Sequence, residues 1–106
     1  MNAFEQRETS FEARFAQEEA IKFKANARRN HLAGLWAANK LGLTADDAEA
    51  YAKAIVLADL DKPNSDSVFK TIRADFSSRG FGQSDRQIRR VLEEFLKRAV
   101  AEIKTQ

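Results

Sequence analysis

The sequence contains no cysteine, one proline and four glycines among its 106 residues. The lack of cysteine excludes a disulfide scaffold, thiol catalysis and cysteine-ligated zinc. Because proline and glycine are so rare, the chain has few places to turn and its elements should be long. Hydrophobic residues make up 43% of the chain and charged residues 32%. This balance and length predict one globular domain with a single core and a well-solvated surface.

The sequence also lacks the patterns that mark membrane spans, secretion and common enzymes. No apolar run approaches the ~20 residues of a membrane helix, and the first ten residues include acids and no hydrophobic signal region. We therefore expect a cytoplasmic protein with no membrane insertion. His31 is the only histidine, so no transition-metal site is recognisable. Nucleophile elbows, phosphate loops and dinucleotide fingerprints are missing as well. The sequence thus predicts a protein that binds a partner, with no catalytic residues, metal or cofactor.

Turn signals divide the chain into four helical segments. Each signal contains glycine or proline, which favour helix ends: Leu41–Leu43, Asp61–Asn64 and Arg79–Gly82. A helix-start signal follows each of them, and the last is a full capping box: Thr44, Ser65, and Ser84 with Gln87.

Apolar residues recur at helical spacing inside three of these segments. The spacing i, i+3, i+4 places them on one face of each helix. The predicted inward faces are Ala48, Tyr51, Ala52, Ile55 and Val56; Val68, Phe69, Ile72 and Phe76; and Ile88, Val91, Leu92, Phe95, Leu96, Ala99, Val100 and Ile103. The predicted fold is all-α, a four-helix bundle with a long N-terminal helical segment.

The first helical segment is longer than such a bundle needs. As one helix, residues 4–41 would reach ~57 Å, whereas residues 85–104 would reach only ~30 Å. At about 100° per residue, Phe4, Phe11 and Phe15 lie within about 20° of one line along the helix. Continued forward, this line meets polar residues and predicts a solvent-facing side there: Lys22, Asn26, Arg29 and Lys40.

Two interpretations of the phenylalanine line remain open. In the first, the segment kinks near Gln17–Ala20 and packs its phenylalanines onto the bundle. In the second, it is an amphipathic helix that docks into a groove on another protein. Both interpretations set an N-terminal segment apart from the helical bundle.

Basic residues form two clusters that suit phosphate or nucleotide contacts. The candidate contacts are Arg28, Arg29, Arg86, Arg89 and Arg90. Acidic residues interleave with the second cluster, and the net charge is only +2, which argues against a dedicated nucleic-acid binder. We expect His31 to be a partly buried, hydrogen-bonded residue of the first helix, and Trp36 to pack in the core.

A string of short segments along almost the whole chain resembles the zeta subunit family of alphaproteobacterial F-type ATP synthases. The segments that carry the resemblance are Phe11–Ala16, Ala27–Asn30, Gly34–Ala38, Leu41–Leu43, Glu49–Lys53, Val68–Phe69 and Arg73–Asp75.

This resemblance implies a regulatory inhibitor of ATP hydrolysis. It implies a mobile N-terminal segment, residues 1–19, attached to a helical bundle, residues 20–106. This segment inserts at an alpha–beta interface of the catalytic head, near the gamma subunit, and blocks rotation in the hydrolytic direction. The protein would then be peripheral to the membrane only through the ATP synthase. The side chains it implicates are Phe4, Arg7, Phe11, Glu12, Arg14 and Phe15. The alternative from the residues alone is a small helical nucleotide- or phosphate-binding module.

Overall fold

A computed structural model describes the backbone of residues 3–60 and 64–105, and the side chains of residues 12–60, 64 and 66–105. It contains four α-helices, and the described ranges contain no strand. The helices are α1, Ala3–Lys40; α2, Ala45–Asp59; α3, Ser65–Ser78; and α4, Asp85–Lys104. The predicted all-α, four-helix fold is confirmed.

Glycine ends α1 and α3 in the same way. Gly42 has a φ of 81°, and the amide of Leu43 donates to the carbonyl of Ala38 over 2.9 Å. Gly80 has a φ of 68°, and the amide of Phe81 donates to the carbonyl of Phe76 over 2.8 Å. Both are Schellman motifs, in which the left-handed residue turns the chain back onto the last helical turn. The predicted cap at Leu41–Leu43 is confirmed.

The helix starts agree with the sequence only in part. Ser84 and Gln87 form the predicted capping box at the start of α4. Thr44 occupies the N-cap of α2, but its side chain makes no capping bond, and Ala45 after it has a φ of 43°. The prediction of Ser65 as the cap of α3 is wrong. Asn64 is the cap, because its side-chain oxygen accepts from the amide of Asp66 over 2.9 Å.

The core lies where buried residues of all four helices meet, and it includes Phe76. Phe76 is fully buried, and its ring meets those of Trp36 and Phe81 edge-on, with centroids 5.5 and 4.9 Å away. Edge-on contacts suit the charge distribution of aromatic rings. The predicted core position of Trp36 is therefore confirmed, as are the inward faces of α3 and α4.

A glycine sets the close approach of α1 and α2. A Cβ atom on Gly34 would lie 2.6 Å from the Cα of Ala52, which is too close for any side chain. The two helices can therefore touch through their backbones only because position 34 has no side chain.

Helix α1 extends beyond the bundle, which contradicts the interpretation in which it kinks near Gln17–Ala20. The helix runs without interruption from Ala3 to Lys40. All side chains from residue 12 to residue 20 are exposed. The molecule measures 63 × 27 × 23 Å, so its long dimension is that of α1.

Candidate functional site

The overhang presents an apolar side chain between charged ones. Phe15 is 58% exposed, and Glu12 and Arg14 beside it are also exposed. A phenylalanine left in water forgoes roughly 1.5–3 kcal/mol of burial free energy. This arrangement is therefore suited to docking against an apolar groove. The side chains of Phe4, Arg7 and Phe11 lie outside the described residues, so their predicted roles stay predictions.

The line of the phenylalanines meets both exposed and buried residues of α1. Lys22 and Lys40 are exposed, as predicted, and Asn26 is half-buried. Arg29, which we predicted to face solvent, is only 3% exposed, and Ala33 on the same line is fully buried. The prediction for Arg29 is wrong because it assumed a single apolar stripe along the whole of α1. Helix α1 instead packs against α2, α3 and α4, which cover most of its circumference. Phe23, an apolar residue away from this line, is 52% exposed.

Buried Arg29 belongs to a polar network that fixes the junction of α2 and α3. Its Nε donates to the side-chain oxygen of Asn30 over 2.7 Å. The Asn30 amide donates to one carboxylate oxygen of Asp59 over 2.8 Å, and the other accepts from the backbone amide of Asn64 over 2.9 Å. Burial lowers the pKa of the Arg29 guanidinium, and the negative charge of Asp59 opposes this shift.

Sequence reasoning missed Asn30, Asp59 and Asn64 as members of one network. Asn30 lies 29 residues before Asp59 and meets it only because α1 packs against α2, whereas Asn64 follows Asp59 by five residues. A signal was nevertheless present. Asp59 and Asn30 are polar residues that lie one helical turn from apolar residues of their own helices. At such positions, a buried hydrogen-bonded pair is one of the few stable arrangements.

The five candidate phosphate contacts do not form one site. Arg29 and Arg89 line the same cavity of about 400 Å³, together with Asn26, Asn64 and Glu93. Arg89 is held in place there, because its guanidinium lies 3.9 Å from the ring centre of Phe69 and donates to Asp66 over 3.1 Å.

The other three arginines lie elsewhere. Arg28 donates to Glu102 over 3.0 Å, Arg90 pairs with Glu94 over 3.1 Å, and Arg86 is exposed. Hydrogen bonds from Arg98 and Arg28 keep the pKa of the Glu102 carboxyl below its ordinary value.

His31 is the partly buried, hydrogen-bonded residue that we predicted. Its Nε2 lies 3.1 Å from a carboxylate oxygen of Glu49, and its Nδ1 lies 3.5 Å from Nη1 of Arg28. Within the part of the chain whose side chains are described, no group of three or more metal-ligating residues could hold an ion. None of the described helices is long and apolar enough to span a membrane.

Comparisons with known proteins place this fold in a family. A family model described as ATPase inhibitor subunit zeta matches residues 1–102. A protein with a known solution NMR structure is similar to this chain, with 33% sequence identity and a TM-score of 0.68. The similarity covers 80% of this chain and 96% of that one. A comparison with curated proteins gives no match. Since the family model spans nearly the whole sequence, the chain belongs to the ATPase inhibitor subunit zeta family.

Proposed function

We propose that this chain inhibits ATP hydrolysis by the catalytic head of the F-type ATP synthase, and that its N-terminal helical segment is the inhibitory element. Membership in the ATPase inhibitor subunit zeta family supports the first part. The observation that carries the second part is the exposure of Phe15, on a stretch of α1 whose described side chains are all exposed. The protein acts by binding and not by catalysis.

The geometry of α1 suits insertion between two subunits. A helix with its side chains is about 10–12 Å across, whereas the whole molecule is 27 × 23 Å across its two shorter dimensions. The overhang can therefore enter a cleft that excludes the bundle. In this proposal the phenylalanines fill an apolar groove at an alpha–beta interface near gamma, while Glu12 and Arg14 make polar contacts around it. A helix inserted at this interface blocks the rotation of gamma in the hydrolytic direction.

The partners in this proposal are the alpha, beta and gamma subunits of the ATP synthase. The protein would be cytoplasmic and would reach the membrane surface only as part of that assembly. No cofactor is needed, because the inhibition is mechanical.

A titration of ATP hydrolysis tests the proposal. The native protein should inhibit a purified F-type catalytic head from the same source, and the Phe11→Ala/Phe15→Ala variant should lose at least about tenfold in potency. The two truncations together remove apolar surface worth more than ~1.4 kcal/mol, which is a factor of ten in affinity. Steady-state ATP hydrolysis measured against inhibitor concentration gives this ratio.

The control is Lys97→Ala, an exposed position on α4, which should inhibit like the native protein. Circular dichroism must show that the double variant is folded. If the native protein leaves ATP hydrolysis unchanged at micromolar concentrations, the inhibitory function is wrong for this chain. If it inhibits and the double variant inhibits equally well, the N-terminal mechanism is wrong.

The cavity beside Arg29 and Arg89 supports a second candidate function, the binding of a phosphate group or nucleotide. Arg29 uses its Nε for Asn30, and its two terminal amino groups form no hydrogen bond to any described residue. Glu93 also lines the cavity, and its negative charge disfavours the binding of an anion there. A buried guanidinium still keeps its charge and its donors, so it can contact a phosphate oxygen.

We expect Arg89→Gln to weaken binding of ATP or inorganic phosphate about tenfold, because a hydrogen bond to a charged group contributes about 1.5–3 kcal/mol. Chemical-shift changes in an NMR titration measure this affinity. Arg90→Gln is the matched control, since Arg90 pairs with Glu94 outside this cavity. An equal loss in both variants, or no binding by the native protein at millimolar ligand, would exclude this cavity as the site.

A further inference from the structure

The large apolar side chains that remain exposed in the described part of the chain all lie toward one end of the molecule. Besides Phe15 on the overhang, they are Phe23, at 52%, Leu57, at 56%, and Leu60, at 36% exposure. Single exposed apolar residues are normal on protein surfaces, but a contiguous group marks an interaction site.

Phe23 and Leu60 come from different helical segments and meet at the base of the overhang. Both line a crevice between α1 and the end of α2, together with Val56 and Asp59. Leu57 precedes Leu60 by three residues and therefore lies on the same side of α2. The crevice encloses only about 10 Å³, which is too little for a ligand. These side chains form an apolar surface, and we call Phe23, Leu57 and Leu60 the shoulder patch.

The shoulder patch continues the surface of the overhang. Phe23 follows Phe15 on the same helix at a distance of ~12 Å along the axis. At about 100° per residue, the two lie some 80° apart around α1, so one concave partner can contact both. The charged residues beside them include both signs, with Lys22 paired to Glu19 over 3.3 Å. Charges of opposite sign therefore offset one another at this end, and the exposed apolar side chains are left to favour association by their burial.

We infer that the shoulder patch is a second docking surface for the F-type catalytic head. In the complex it contacts an apolar rim of the head, next to the cleft that binds the N-terminal segment. This inference rests on the proposed function. It assigns different tasks to the two surfaces. The overhang blocks rotation, and the shoulder patch supplies affinity and sets how deeply α1 enters.

The test separates affinity from the extent of inhibition. The Phe23→Ala/Leu60→Ala variant should bind the purified catalytic head at least about tenfold more weakly than the native protein, which corresponds to ~1.4 kcal/mol. At saturating concentration it should still inhibit ATP hydrolysis to the native maximum, because its first 19 residues are unchanged. Fluorescence anisotropy of the labelled protein gives the affinity, and steady-state hydrolysis gives the maximum.

Two further variants are controls for a loss of affinity that is caused by a change in folding. Phe23→Leu/Leu60→Met keeps the patch apolar and should bind like the native protein, and so should the exposed control Lys97→Ala. A loss of affinity in the conservative variant equal to that in the alanine variant would contradict an apolar contact.

The outcomes distinguish the two proposals. If the alanine variant binds as tightly as the native protein while Phe11→Ala/Phe15→Ala loses inhibition, the shoulder patch is wrong and the proposed function stands. If the native protein binds the head without inhibiting it, and the alanine variant binds more weakly, the patch stands and the proposed function fails. If the native protein sediments as a dimer that the alanine variant dissociates, the patch binds a second copy of this chain and our inference is overturned.

Discussion

Deletion of residues 1–19 is expected to abolish inhibition of ATP hydrolysis while leaving the bundle folded. The described side chains of this segment, from residue 12 onward, are all exposed, so their removal should change the free energy of unfolding of the bundle by no more than about 0.5 kcal/mol. The same deletion takes away the entire proposed inhibitory element. Urea unfolding followed by circular dichroism measures the stability, and steady-state hydrolysis by the catalytic head measures the inhibition.

The deletion also discriminates between the two candidate functions. A phosphate-binding bundle would keep its affinity, because Arg29 and Arg89 remain in place, whereas an inhibitor that works through its N-terminal segment would lose its activity. A fall of several kcal/mol in unfolding free energy would mean that the segment packs on the bundle in solution. Undiminished inhibition would place the inhibitory surface within residues 20–106.

Replacement of Phe76 by alanine is expected to lower the free energy of unfolding by about 3–5 kcal/mol. Phe76 is fully buried and contacts the rings of Trp36 and Phe81, so truncation leaves a cavity at the centre of the core. Domains of this kind have about 5–15 kcal/mol of stability in total. The change would therefore remove a large part of it, and urea unfolding would show a lower midpoint.

Phe15→Ala is the matched control, because the chemical change is the same and only the environment differs. Phe15 is exposed, so its truncation should alter the stability by no more than about 0.5 kcal/mol. Phe15→Ala should nevertheless weaken the inhibition of ATP hydrolysis, although the protein keeps its fold. If the two substitutions cost the same stability, either Phe76 is not central to the core or Phe15 is not exposed in solution.

Local signals in the sequence predicted the elements of this fold correctly. The turn after α1 requires a left-handed backbone at position 42, which glycine adopts at no steric cost. The capping box at Ser84 satisfies backbone amides within four consecutive residues. Both depend on neighbouring residues alone. The cap of α3 was less well predicted, because Asn64 and Ser65 are both good capping residues and the position of the preceding turn selects between them.

The candidate site was predictable in one part and unpredictable in another. Phe15 was identified because helical spacing and helix length left it without a partner in the fold. The buried state of Arg29 and the exposure of Phe23 could not be read in this way. Both depend on which neighbours pack around α1, and periodicity along one helix does not contain that information.

The sequence by itself determined that this protein is a set of four helices with one longer than the rest, because capping, turn formation and helical periodicity are short-range effects. Only the tertiary structure decided which side chains are buried and which surfaces remain open. It joined Asn30, Asp59 and Asn64 into one network, placed Arg29 and Arg89 in one cavity, and brought Phe23 beside Leu60. Burial depends on contacts between residues far apart in the chain, and these form only when the helices pack.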